Sequence, residues 1–324
     1  MISASPSGRT TVVQVLSSPH SGSTILGVIL GSAPGIFYGG EMDRVPVPIW
    51  HPGLVCSCGE PTSSCVFWGS VRARFESAHD SVRLERGQER FEPWGSLLRV
   101  VAATLVHGQA LRSHARETAT LIREVSQRAS SPLVVDSSKF AGRALVYAAA
   151  QSEGLDVRYL HLIRDGRAVL NSRKARWSAA GLDTESVRFA TRSAVRWFIA
   201  NLTFSLLFSW RRGKYLRLRH EDLIRDPEGT LGRLERFLGV SLATPMAKIR
   251  EGSAFPVVHV PAGNRFRLAG EVRFRRGATS ALTTVPMAQR RAFWRVAGGL
   301  ARFYGYEEKS PSEGTPPTVA PPPQ

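Results

Sequence analysis

The chain has 324 residues, 43% of them hydrophobic, which is enough for one large or two modest hydrophobic cores. Its 43 Lys and Arg stand against 26 Asp and Glu, a formal charge of +17 spread along the chain. This excludes an acidic, solvating protein and suits an anionic ligand. Three cysteines, Cys56, Cys58 and Cys65, are too few and too odd in number for a disulfide framework and fit a reducing, cytoplasmic setting. The opening MISASPSGRTT is polar and carries no apolar run of the signal-peptide kind.

In chain order, TTVVQVLS (residues 10–17) reads as a Val-rich strand, and the apolar TILGVILGS as a helix, with the polar loop SSPHSGST (17–24) between them. GIFYGGEM supplies a short extended piece with Gly39 and Gly40 at its turn. Residues 44–70, rich in Pro, Gly and Cys, read as an irregular insertion, and residues 91–128 carry helical periodicity. PLVVDSSKF is a buried strand running into a polar turn, and ALVYAAAQSEG a helix ending at Gly154. VRYLHLIRDGRAVLNSRKA is a strand feeding a helix. WFIANLTFSLLFSW (Trp197 to Trp210) is too short to cross a bilayer, contains Asn201, and reads as a buried core helix. GKYLRLRHEDL is a further strand, and PEGTLGRLERFLGV a helix with Pro at its start and Gly near its end.

Strands alternating with helices predict an α/β fold with a mostly parallel central sheet and helices on both faces. Ligands of such sheets bind at the carboxyl ends of the strands, where the turns after Ser17, Asp136 and Ile163 fall.

The first turn has the residues of an anion cradle: Gly22 for close backbone approach, hydroxyls at Ser21, Ser23 and Thr24, and a following helix whose N-terminus favours negative charge. It lacks the Lys of a triphosphate loop and has His20 near its front instead. A plain N-capped helix start is the competing reading. In the third turn, Arg164 ends the strand and Ser172 follows eight residues later, two helical turns on. The pair fits a phosphate, while taken by itself the turn favours a local Arg164–Asp165 ion pair. Cys56, Cys58 and Cys65, with His51, suggest a metal set, but C-x-C is not the usual zinc spacing, and buried thiols or a redox pair are favoured. His161 and His259 read as core residues, Glu221 as structural, and Trp197, Phe198, Phe204, Phe208 and Trp210 as core packing.

Together these turns resemble the PAPS-dependent sulfotransferases, whose donor is 3′-phosphoadenosine 5′-phosphosulfate. The family's 5′-phosphosulfate loop, approximately [TS]-x-P-[KR]-S-G-[TS]-[TS], is matched by Ser17-Ser18-Pro19-His20-Ser21-Gly22-Ser23-Thr24. Its 3′-phosphate motif is matched by Arg164 and Ser172. The likeness runs from Val12 to Gly239, more loosely to Tyr306, and is nearest the bacterial carbohydrate-type and tyrosylprotein-type branches. It implies a P-loop-like three-layer sandwich in a single domain over residues 1–309, in which 44–128 form an insertion and helical acceptor side, followed by a disordered Pro-rich tail over 310–324. By motif position it makes Glu41 the base, a role the chemistry needs because an acceptor hydroxyl must lose its proton. Lys139, twenty-five residues before Arg164, and His20 would stabilise developing negative charge. A late basic loop, with Gly263, Asn264, Arg265 and Arg267, would close over the nucleotide.

The implied reaction is sulfuryl transfer from PAPS to a hydroxyl of a carbohydrate, glycolipid or other small alcohol. It needs no metal, because in-line transfer can run on positioning and fixed positive charge. The implied partners are that acceptor and no nucleic acid, with peripheral membrane contact only for a lipid acceptor. A P-loop kinase or NTPase, and a non-catalytic binder of PAPS or its product, remain as alternatives at this level. The departure of His20 from the family's Lys or Arg is what keeps the second open.

Overall fold

The computed structural model of the chain describes residues 9–44, 53–275 and 285–308. The Val-rich run forms β1 (Thr11–Leu16), buried along its whole length, and the loop after it leads into α1 (Ser23–Gly31) and β2 (Ile36–Tyr38). Four helices follow: α2 (Val66–Glu76), α3 (Ser81–Phe91), α4 (Leu97–Leu105) and α5 (Gln109–Arg128). Next come β3 (Leu133–Asp136), α6 (Ala141–Ala150), β4 (Asp156–Ile163), α7 (Gly166–Ser178) and α8 (Val187–Phe208). The chain continues through β5 (Tyr215–Arg219), α9 (His220–Arg225), α10 (Pro227–Leu238), α11 (Ala243–Glu251), β6 (Ala254–Pro256) and β7 (Glu271–Arg273), and α12 (Met287–Phe303) closes the described residues.

Among the described residues two compact units emerge: residues 9–164 with 200–275, and residues 165–199 with 285–308. The first unit holds a five-stranded sheet in the order β2-β3-β1-β4-β5, parallel at every pairing, and a small antiparallel β6–β7 ribbon. The alternation of side chains along each strand divides its core in two. Val12, Leu16, Val134, Val157 and Tyr159 pack with helices α2 to α6, whereas Val13, Val15, Val135, Leu160 and Leu162 pack with α1 and α9 to α11. Burial on both faces is why the strands read as continuous apolar runs. The α/β class with helices on both faces is therefore the fold observed. In the second unit, Trp197 packs edge-on against Phe293 and Tyr304, and Arg167 chelates Asp165 and donates to the Glu308 carbonyl.

Several local expectations need correction. The insertion read over 44–70 ends early, because α2 begins at Val66 behind the N-cap Cys65. HEDL continues not as strand but as α9, and the late basic stretch includes β7 rather than loop alone. Trp210 is 66% exposed, so it does not join the packing that buries Phe204 and Phe208. His51 and the Pro-rich tail 310–324 lie outside the described residues. Among the described residues, no helix is long and apolar enough to cross a membrane.

Candidate active site

The loop from Ser17 to Gly22 sits at the carboxyl end of the central strand, β1. Gly22 is the N-cap of α1, with a left-handed φ of 88° and no side-chain cap. The free donors of that first helical turn, with the helix dipole behind them, make an anion site. A Cβ on Gly22 would stand 2.6 Å from His220 Nδ1, so both the conformation and the space require glycine. His20 is also left-handed, at φ 69°. Its carbonyl accepts from the Arg164 guanidinium at 3.0 Å, and the hydroxyls of Ser18 and Ser21 are 2.8 Å apart. Arg164, at the end of β4, thus reaches the loop that follows β1.

The turn after β3 supplies the second cation. Lys139 Nζ donates to Ser23 Oγ at 2.6 Å, donates to the Ser137 carbonyl, and stands 3.7 Å from Glu41 Oε1. The two side chains of that ion pair are 13% and 22% exposed, so water screens them only in part. Glu41 follows Gly40, whose φ of 73° and close approach to the Ala262 carbonyl again demand glycine. The Glu41 N–H donates to that same Ala262 carbonyl at 3.2 Å, and Ser137 N–H donates to the Gly40 carbonyl at 2.8 Å.

Asp136 holds both halves of this arrangement. Fully buried, it accepts from Met42 N–H at 3.2 Å, just after Glu41, and from Ser138 N–H at 2.8 Å, just before Lys139. Beneath it lies a buried charge cluster. Arg143 donates to Asp136 Oδ2 at 3.2 Å and to Glu92 Oε1 at 2.9 Å, Tyr147 OH donates to Asp136 Oδ2 at 2.7 Å, and His114 is 2.9 Å from Glu92. Burial alone would raise the Glu92 carboxyl, but Arg143 and His114 outweigh it and hold Glu92 below its usual range. Tyr38 completes the floor with its hydroxyl 2.9 Å from Ser137 Oγ, and burial raises its ionisation above the usual phenol range.

Of the late loop, Gly263 lies against the site: a Cβ there would be 3.9 Å from Glu41 Cγ and from Thr24 Oγ1. Asn264 accepts from Phe266 N–H at 3.2 Å, capping its own turn, and Arg265 is exposed. Arg267 is turned inward, donating to the carbonyls of Val55 at 2.6 Å and Val260 at 3.4 Å. Ser172 lies on α7 in the second unit and is half-buried. The first unit therefore gathers His20, Ser21, Gly22, Ser23, Thr24, Glu41, Lys139, Arg164 and Gly263 around the start of α1.

The sequence reading passed over His220. Its ring packs against Gly22, and burial, with the Arg164 charge, depresses its pKa to about 4, so it presents a neutral wall to the loop. Only its position at the carboxyl end of β5 hinted at this. His161 is a core residue as expected, bonded to Tyr215 OH and Asn201 Oδ1. His259 is not: its Nδ1 lies 3.3 Å from Cys65 Sγ.

An anion cradle with a carboxylate and two cations at its rim matches a known family. The sulfotransferase family profile covers residues 13–244. Carbohydrate sulfotransferase 6 of Homo sapiens is 29% identical over 273 residues, 74% of this chain and 67% of that protein. Carbohydrate sulfotransferase 5 of Homo sapiens is 28% identical over 71% of this chain, which spans only 62% of that relative. Similar solved structures include the sulfotransferase domain from the curacin biosynthetic pathway, at 18% identity, 90% and 98% coverage of the two chains, and a TM-score of 0.48. Sulfotransferase STF9 from Mycobacterium avium aligns at 15% identity over 94% and 78%, with a TM-score of 0.46. With the family profile running from β1 into α11, across the loop, Glu41, Lys139, Arg164 and Ser172, the chain belongs to the sulfotransferase family and is a transferase of the EC 2.8.2 type.

Proposed function

We propose that this sulfotransferase takes PAPS as its donor and transfers the sulfuryl group to a hydroxyl of a carbohydrate, glycolipid or other small alcohol. One observation carries the reading: Lys139 Nζ contacts Ser23 Oγ of the anion loop while standing 3.7 Å from the Glu41 carboxylate. That contact supports reading Glu41 as a base beside a cation at an anion-binding loop.

The residues present fit the donor. The uncapped N-terminus of α1 and the hydroxyls of Ser21, Ser23 and Thr24 suit its 5′ phosphosulfate. Arg164 supplies a fork for its 3′-phosphate in this reading, and motif spacing alone adds the Ser172 hydroxyl. The donor supplies the activated sulfuryl group. Glu41 removes the acceptor proton, oriented by Lys139 and by the backbone anchors at Met42 and Ala262. Lys139 and His20 offset negative charge that develops on the bridging and leaving oxygens. No lysine occupies the loop where a triphosphate would need one, which favours this donor over ATP. The printed names of the two human relatives support a carbohydrate acceptor.

Incubation of the purified protein with labelled PAPS and a panel of sugars, glycolipids and small alcohols tests the reading. Label should pass to a sulfate ester of the acceptor, and about 10²–10⁴-fold more slowly in Glu41→Gln. Phosphoryl transfer from ATP without sulfuryl transfer from PAPS would overturn it.

A further inference from the structure

Cys56, Cys58, Cys65 and His259 bring their ligand atoms within 4.8 Å of one another, outside the cradle and unused by it. Cys65 Sγ lies 3.6 Å from Cys58 Sγ, 3.7 Å from Cys56 Sγ and 3.3 Å from His259 Nδ1. A disulfide would need about 2.05 Å between sulfurs, and all three thiols are free. A tetrahedral zinc ion with bonds of about 2.3 Å to sulfur and 2.0–2.1 Å to nitrogen sets edges of about 3.8 Å between sulfurs and about 3.5 Å from sulfur to nitrogen. The observed separations sit close to those edges.

Local structure aims the four groups inward. Cys56 N–H donates to the Glu60 carbonyl at 2.8 Å and Gly59 N–H to the Cys56 carbonyl at 2.9 Å, forming a tight turn that brings Cys56 and Cys58 to one side. Cys65 is the N-cap of α2, which fixes its backbone at the start of that helix. His259 adopts a left-handed φ of 51°, stacks on Phe67 with ring centroids 5.2 Å apart, and has its carbonyl held by Trp68 Nε1 at 2.7 Å. An off-region backbone fixed from two sides is a mark of a functional constraint.

Charge points the same way. Three thiolates, a neutral imidazole and a divalent ion sum to −1. Arg267, 8% exposed, donates to the Val55 carbonyl beside Cys56, and Arg128 lies 5.5 Å over the Phe67 ring on which His259 stacks, so two cations flank the site.

We propose that these four residues bind one zinc ion as a closed structural site. Binding displaces the three thiol protons to solvent with no change of oxidation state. Four protein ligands leave no position for substrate, so the ion takes no part in the transfer. It clamps the hairpin at 54–65 to the loop at 257–267. Those segments are already laced by Ser57 N–H to the Val260 carbonyl at 3.1 Å, Val260 N–H to Ser57 Oγ at 2.9 Å and Arg267 to the Val55 carbonyl. The same loop gives its Ala262 carbonyl to Glu41 N–H, so the clamp sets the backbone of the base. Metal binding stands apart from the donor reading; the effect on Glu41 rests on it.

Metal analysis of the full chain, produced in zinc-supplemented medium and gel-filtered, tests this. About one zinc per chain is expected, along with a thiolate-to-metal charge-transfer band after cobalt exchange. Cys58→Ser removes an exposed thiol at little packing cost, so it should stay folded while zinc falls at least tenfold. A strong chelator should lower the wild-type melting temperature and leave that of Cys58→Ser unchanged. Zinc below about a tenth of an equivalent after reconstitution, or a Cys58–Cys65 disulfide by mass spectrometry in protein purified without reductant, would overturn the site. Neither result depends on sulfuryl transfer, so failure of the metal site and failure of the donor reading are separately visible.

Discussion

Replacing Gly22 with Ala tests how the cradle is built. The new Cβ would meet His220 Nδ1 at 2.6 Å and would have to hold a φ of 88°. The left-handed backbone costs a non-glycine residue about 1–2 kcal/mol, and forcing a methyl into packed surroundings costs about 1–3 kcal/mol more. Gly22→Ala should therefore destabilise the chain by about 2–5 kcal/mol. In a His220→Ala background the obstacle is gone, and only the backbone part, about 1–2 kcal/mol, should remain. Urea titrations of the four proteins, compared by midpoint and slope, give the coupling directly. Product nucleotide affinity, measured by calorimetry on the same set, should fall with Gly22→Ala in both backgrounds. Equal destabilisation in the two backgrounds, to within about 0.5 kcal/mol, would show that His220 does not wall the loop, and the account of Gly22 would fail.

Glu41→Gln should lower kcat by about 10²–10⁴-fold with product nucleotide affinity unchanged, and a wild-type rate would dismiss Glu41 as the base. Arg164→Ala should weaken binding of the product nucleotide by about 1.5–3 kcal/mol in calorimetry; unaltered affinity would remove it from the donor site. Burial, with the Arg217 charge, lowers the pKa of His161 to about 4. The unfolded chain takes up a proton there as pH falls below about 6.5, while the folded chain resists until about 4. Stability contributed by a neutral His161 is thus complete above about 6.5 and declines toward 4, by up to about 3 kcal/mol. In His161→Asn, denaturation between pH 7 and 4 should show that much less decline, and an identical pH profile would refute the assignment.

The parallel sheet was legible because its strands are apolar on both faces and are cut off by polar turns, as at Ser17 and Asp136. Glu41, Lys139 and Arg164 were singled out by motif spacing; Lys139 and Arg164 contact the loop and the start of α1, and Glu41 pairs with Lys139. His220 was not, because its approach to Gly22 spans nearly 200 residues and leaves no periodic trace. His259 was misread for the same reason: the partner thiol, Cys65, is 194 positions away, and an isolated histidine among apolar neighbours resembles core. The left-handed backbone at His20 was hidden as well, since few non-glycine residues adopt that region, even though histidine is enriched there. Arg267 looked like a ligand because charge near a glycine does; its engagement with Val55 and Val260 is a matter of tertiary packing.

Arg143 has a bearing on how the protein is made. Its two carboxylate partners precede it, Glu92 by 51 positions and Asp136 by 7, and all three are sealed from water when folded. A nascent chain that has not yet delivered Arg143 would bury Glu92 with His114 and Asp136 with its backbone donors but both without their guanidinium partner, and losing one partner of a buried ion pair costs about 3–5 kcal/mol in a finished interior. Docking of α3 and α5 on the sheet should therefore gain most of its stability once α6 has been synthesised. Fragments cut between Asp136 and Arg143 should accordingly be degraded rather than accumulate.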